Sequence, residues 1–353
     1  MSNKLSIKKV HIEFLRVFAC FMVLYNHTDA AIRDVAFDDM SISRVASIVF
    51  FMLCKTAVPI FLLLSGANLK RKNDSVKKSA ERIGKTILLI IVVSICYHFY
   101  YNRKIDFPVM VEGLVSGKTT LAIWYLYLYL GILILLPILQ KITFSKKMYL
   151  YIFILHLVGP GFIPFVEYYF NVRLLSSYIL MPEVASYIII FLMGDFLENE
   201  LGEGKINAKH ALTALVTGVC SMGITLGLAV YKMTINAEAF DDKMYNQIYY
   251  TPTILLACSI YVVCKYIFDK TGNNRWCSLI SVIGSYTLGI YILGDFLRQE
   301  MVLILDFLKQ RMAEFVSVLL YDLILLVAGI LIMWLWNFLI KLFKVMVCNE
   351  KNV

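Results

Sequence analysis

Ten stretches of this chain are apolar over roughly 17–25 residues, the length a helix needs to cross a bilayer. They cover residues 11–29, 46–67, 86–102, 121–140, 148–166, 183–198, 211–231, 249–268, 278–297 and 315–342. The sixth is the weakest, because Arg173 and Glu183 interrupt the apolar stretch before it. Backbone groups in hydrocarbon have no water to bond. Continuous runs of this length are therefore confined to helices, whereas a membrane barrel shows short alternating strands. The expected fold is all-α: a polytopic membrane bundle of about ten transmembrane helices. With 60% hydrophobic and only 17% charged residues over 353 positions, no soluble core accounts for so many apolar runs. No linker rich in Pro, Gly or Ser and no repeat divides the chain, so one domain over residues 1–353 is expected.

The net charge of +9 invites a nucleic-acid reading, but the basic residues lie in short loops between apolar segments. Membrane topology explains them without nucleic acid. An even number of spans puts both termini on one side. With the termini inside, the inner segments hold 21 lysines and arginines and the outer loops 11, which predicts cytoplasmic termini. The eight cysteines are scattered singly, with no CxxC or Cys/His grouping, and read as small core residues; no metal is expected. Lys4, Lys8 and Lys9 before an apolar run mimic a signal peptide, but Arg16, Asn26, His27 and the lack of an A-x-A site point to a retained first span. The outer loops are short, so any chemistry belongs inside the bundle or at its rim.

The first span carries groups that hydrocarbon excludes. Arg16 and His27 are eleven positions apart. At about 100° per residue this returns to within about 20°, so they share one helix face, about 16 Å apart along the axis. Glu13, three residues before Arg16, is within pairing reach, and pairing lowers the burial cost of the cation. Arg16 is then either snorkelling to the inner interface or facing a protein-lined cavity. His27, beside Asn26 and two residues before Asp29, lies near the outer end. An unperturbed imidazole titrates near about pH 6.5, so His27 is either a satisfied interfacial histidine or a proton carrier.

Other intramembrane polar residues carry similar paired readings. Lys55 sits mid-span in CKTAVPIFLLLSG and must pair, snorkel or line a cavity. Pro59 predicts a kink whose freed carbonyl helps line that cavity. Ser65 and Gly66 permit close helix packing or backbone approach to a ligand. The run Lys70, Arg71, Lys72, Lys77, Lys78, Arg82, Lys85 anchors topology on anionic lipid, or supplies counter-charge to a phosphorylated ligand. Trp124 and Tyr125 fit an interfacial aromatic belt or a platform for a sugar ring. Asp295, with His98 as a weaker parallel, is an acid candidate or an interfacial group. A transporter or flippase for a lipid-linked saccharide or acidic solute would use Arg16, Lys55 and His27 as a substrate path or proton relay. The sequence shows neither the matched pair of broken helices such proteins carry nor a channel-like filter.

IEFLRVFACFMVLYNHT, residues 12–28, resembles the opening of acyltransferase family 3, integral-membrane proteins that move acyl groups onto extracytoplasmic sugars and related acceptors. The arginine, ten residues, histidine signature of that family falls on Arg16 and His27. VPIFLLLSG (58–66), IWYLYLYLGILILLPIL (123–139), FLMGDFL around Gly194 and LGIYIL (288–293) resemble its later motifs in order. Where many relatives place a histidine after the last of these, this chain has Gly294 and Asp295. The resemblance implies transfer of an acyl group, expected to be acetyl, from cytosolic acetyl-CoA to a hydroxyl of a cell-surface glycan or its lipid-linked precursor. It implies a multi-pass cell-membrane protein, bacterial by expectation, with membrane lipids as further partners. Arg16, held by Glu13, would sit near the thioester or pyrophosphate. His27 would act as general base or form a transient acyl-histidine. Asn26, Lys55, Ser65, Lys70, Arg71, Trp124, Tyr125 and Asp295 are the candidate substrate contacts.

Overall fold

The computed structural model describes residues 9–28, 42–104, 106–120, 123–170, 172–174, 183–236, 248–271 and 275–350. In order the helices are α1 (Val10–Thr28), α2 (Ile42–Cys54), α3 (Ala57–Leu69), α4 (Val76–Asn102), α5 (Phe107–Ser116), α6 (Trp124–Lys141) and α7 (Lys146–Val158). They continue with α8 (Ile163–Phe170), α9 (Glu183–Asp195), α10 (Ala208–Asn236), α11 (Thr251–Thr271), α12 (Arg275–Glu300), α13 (Val302–Lys309) and α14 (Glu314–Glu350). Among the described residues there is no strand, and eight spans are long and apolar enough to cross a membrane. The chain is an all-α polytopic bundle.

α1 is not one of those eight, and its polar residues explain its position. It packs against α2, α3, α11, α12 and α14, with Leu15, Ala19, Cys20 and Tyr25 fully buried. Protein surrounds the helix that lipid would tolerate least. Outer helices do the opposite: α14 exposes Leu331, Trp334, Leu335 and Trp336.

α1 and α12 run side by side in the same direction. Glu13 lies against Gly284, the Cys20 thiol donates to the Thr287 carbonyl at 3.6 Å, and Leu24 lies against Gly294. α3 and α9 touch through glycines: a β-carbon at Gly66 would invade the Phe191 carbonyl, and one at Gly194 the Leu63 backbone. Small residues let those backbones meet, as the Ser65-Gly66 step predicts.

Several boundaries differ from the sequence reading. The run 46–67 is two helices, broken at Lys55–Thr56. Pro59 has no N–H to give the Lys55 carbonyl, so the chain tightens there, with Thr56 N bonding the Leu53 carbonyl at 3.0 Å. The run 148–166 breaks at Gly159-Pro160-Gly161, between α7 and α8. α5 stands where a loop was expected; Asp106 caps its start by accepting from Val109 N, and Gly117 (φ 67°) ends it in the left-handed region.

At the end of the bundle that carries the basic run, two buried carboxylates tie helices together. Asp195, closing α9, accepts from Arg71 Nε at 2.8 Å and from the Tyr149 hydroxyl. Glu198 lies in a short π-helical segment, Phe196–Glu200, and meets Lys9, His11, Tyr261 and Lys265 at 2.5, 3.1, 2.7 and 3.2 Å. Buried carboxylates of this kind persist only with full sets of partners. Lys265 is thereby drawn into the bundle at 3% exposure.

Candidate functional site: an arginine cavity and a histidine slot

One face of α1 presents Arg16 and, eleven positions on, His27 to two neighbouring spaces. The larger is a cavity of about 580 Å³ between α1, α3, α4, α6 and α12. Arg16, Ser65, Asn68, Lys72, Thr86 and Ser285 supply its polar lining, and Phe61, Tyr125 and Tyr291 its apolar lining. Arg16 Nη1 donates to Glu13 Oε1 at 2.9 Å and Oε2 at 3.1 Å. Glu13 is buried, whereas the Arg16 side chain keeps 36% of its surface open. The carboxylate thus holds the guanidinium from behind and leaves its other donors to the cavity.

Lys72 adds further positive charge to the lining. Among the described residues its ammonium forms no ion pair, while Arg82 and Lys78 share the single carboxylate of Asp74. Partial burial, then nearby Arg82 and further Lys78 and Arg16, lower the Lys72 pKa against the pull of Asp74. This excess positive charge suits a phosphorylated ligand.

The second space is a slot of about 10 Å³, lined by Val23, Leu24, His27, Tyr291, Gly294, Asp295, Arg298 and Leu325. It holds about one water. Asp295 accepts from Arg298 Nη2 at 2.6 Å and from the Tyr101 hydroxyl, and interacts electrostatically with His27. Tyr291 walls both spaces. Its ring, with those of Phe61 and Tyr125, forms a triangle with centroid separations of 5.5, 6.2 and 6.5 Å. Two compartments thus share the Tyr291 wall, flanked on the cavity side by Phe61 and Tyr125 as an aromatic waist.

The structure sorts the sequence candidates. Arg16, Ser65 and Tyr125 line the cavity, and Ser65 lies within hydrogen-bonding reach of Tyr125. His27 and Asp295 share the slot. Asn26 and Lys55 line neither: Lys55 Nζ donates to Asn26 Oδ1 at 2.8 Å and lies 4.1 Å from the Phe51 ring centroid, locking α1 to the α2–α3 break. Lys70 and Arg71 also lie outside the cavity. The Lys70 ammonium donates to the Ile142 carbonyl at 2.9 Å, and Arg71 is held by Asp195 and Glu200. Trp124 packs edge-on to Tyr125 at 6.3 Å, outside the cavity lining. His98 accepts from Asp106 N at 3.2 Å and fixes the α4–α5 connection. Asp29 lies outside the described residues.

The sequence reading passed over Asn68, Gly284 and Tyr291, and named Lys72 only as one member of the basic run. Helical spacing offered a signal for two of them, since Ser65, Asn68 and Lys72 follow one another at three and four positions. Tyr291 lies inside the quoted LGIYIL segment. Gly284 carried no signal, because its role is to be absent beside Glu13.

A family model described as an acyltransferase domain matches residues 10–338, nearly the whole chain. No curated protein and no solved structure matches it.

Proposed function

Because the chain belongs to acyltransferase family 3 and is by that membership an enzyme that transfers acyl groups, we propose that it moves an acetyl group from acetyl-CoA to a hydroxyl of a cell-surface glycan or its lipid-linked precursor. The observation that carries the reading is the pairing of an Arg16-lined, net-positive cavity with a His27 slot behind a shared Tyr291 wall.

The basic end faces the cytosol, following the distribution of lysine and arginine. Coenzyme A phosphates lie at Lys72 and Arg16, and the pantetheine arm extends along the cavity toward the aromatic waist. The ~16 Å from Arg16 to His27 is a distance such an arm spans. His27 accepts the proton of the acceptor hydroxyl as its oxygen bonds the thioester carbonyl carbon. The carbon–sulfur bond breaks, and the proton passes from His27 to the departing coenzyme A thiolate. Asp295, in the same slot, steadies the imidazolium formed between those transfers. The setting is a plasma membrane, and the reaction needs no metal.

The test is labelled acetyl-CoA given to the full chain in inverted membrane vesicles. Release of free coenzyme A with label entering the glycan fraction is expected from the native chain and not from inserted, folded His27→Ala. Movement of a lipid-linked sugar without thioester cleavage would replace this reading with a transporter.

A further inference from the structure

We infer that the slot behind Tyr291 sets the length of acyl chain the enzyme accepts, favouring two carbons. The inference rests on the thioester donor proposed above. The Phe61, Tyr125 and Tyr291 rings come from three helices, α3, α6 and α12, and each lies within 6.5 Å of the other two. Of the three, Tyr291 alone also walls the slot, and it is only 7% exposed.

A thioester entering from the Arg16 side leads with its acyl end. For the carbonyl to come within reach of His27, the tail must lie ahead of it, in the slot of about 10 Å³. A methyl group fits a water-sized space. A longer chain has nowhere to extend. Leu325 is fully buried, and Leu24 already fills the space a β-carbon at Gly294 would take, 2.7 Å away. The remaining wall is the Asp295–Arg298 pair, which a methylene would strip of polar contact. Close-packed surroundings do not yield by a carbon's width without loss.

Two leucine replacements separate the slot from the cavity: Tyr291→Leu enlarges both, and Phe61→Leu the cavity alone. Labelled acetyl-, propionyl- and butyryl-CoA are supplied to the full-length chain in membrane vesicles, and turnover is compared. The native chain is expected to lose about tenfold or more per added carbon, the scale on which shaped pockets discriminate methylenes. Tyr291→Leu is expected to raise the butyryl-to-acetyl ratio by at least about tenfold, and Phe61→Leu to leave that ratio near native. A ratio unchanged in a Tyr291→Leu variant that remains monodisperse in detergent overturns the inference, as does an equal rise in Phe61→Leu. Should Tyr291→Leu not stay folded, the native series decides: a steep decline with length supports the slot, and a flat or rising profile refutes it while leaving thioester transfer intact. Cleavage of none of the three donors removes the thioester reading and this inference together.

Discussion

Gly284 on α12 lies so close to Glu13 on α1 that a β-carbon there would come within 2.8 Å of the Glu13 β-carbon and 3.1 Å of its α-carbon. The α-carbon cannot rotate away, so the two helices would have to separate. Glu13 in turn positions Arg16, and the missing side chain at Gly284 thereby reaches the cavity floor. Gly284→Ala is expected to cost about 1–3 kcal/mol and to lower acyl-transfer activity. Gly223→Ala, whose added carbon meets open space inside α10, is expected to be neutral or stabilising by up to about 1 kcal/mol. Thermal unfolding of the two variants in detergent checks the contrast; equal behaviour would deny Gly284 its packing role.

Adjacent members of the basic run should behave differently. Lys72 lines the cavity and forms no ion pair among the described residues, whereas Lys70 is buried against the Ile142 carbonyl. Lys72→Ala is expected to raise the KM for acetyl-CoA several-fold, with an effect that shrinks as salt rises and unfolding unchanged. Lys70→Ala is expected to lower the unfolding midpoint and leave that KM near native in the folded fraction. The reverse pattern would return Lys70 to the site.

His27→Ala is expected to reduce turnover by about 10²–10⁴-fold with little change in donor KM, the scale of a lost general base. Asp295→Asn keeps the shape of the slot and removes its negative charge, so its loss should be smaller and its pH–rate profile displaced. A donor KM that moves with turnover in His27→Ala would make His27 a binding residue.

Helical period and membrane length made the bundle readable, because hydrocarbon allows few alternatives to a helix. The shared face of Arg16 and His27 was readable for the same reason: eleven positions on a straight helix fix direction whatever the neighbours do. Lys70 and Arg71 lie outside the cavity that Lys72 lines, and charge in a run says nothing of which cation turns inward. That depended on Asp195 and Glu200, more than 120 residues away, which capture Arg71. The waist was also out of reach of sequence reasoning, since Phe61, Tyr125 and Tyr291 meet only through the packing of α3, α6 and α12. Pro59 announced a break, and the chain broke four residues earlier, at the carbonyl left without a donor.

Asp74 offers a pH test of the basic end. Its carboxylate meets Lys78 Nζ at 3.0 Å, Gln140 Nε2 at 3.2 Å and the Arg82 guanidinium, joining the α3–α4 connection to the end of α6. Burial alone would raise its pKa, but the hydrogen bonds from Arg82, Lys78 and Gln140 outweigh burial and hold it below the usual carboxylate range. A depressed native pKa means that the folded state favours the ionised form. The stabilisation is complete above the unfolded value, about 3.9, and disappears as pH falls through the native one. Asp74→Asn should therefore unfold at a lower temperature than the native chain at pH 7. The gap should persist to about pH 5 and close only below about pH 4. Melting curves of both proteins in one detergent across that range supply the measurement. A gap that stays constant down to pH 3 would mean that Asp74 acts through shape and not through its charge.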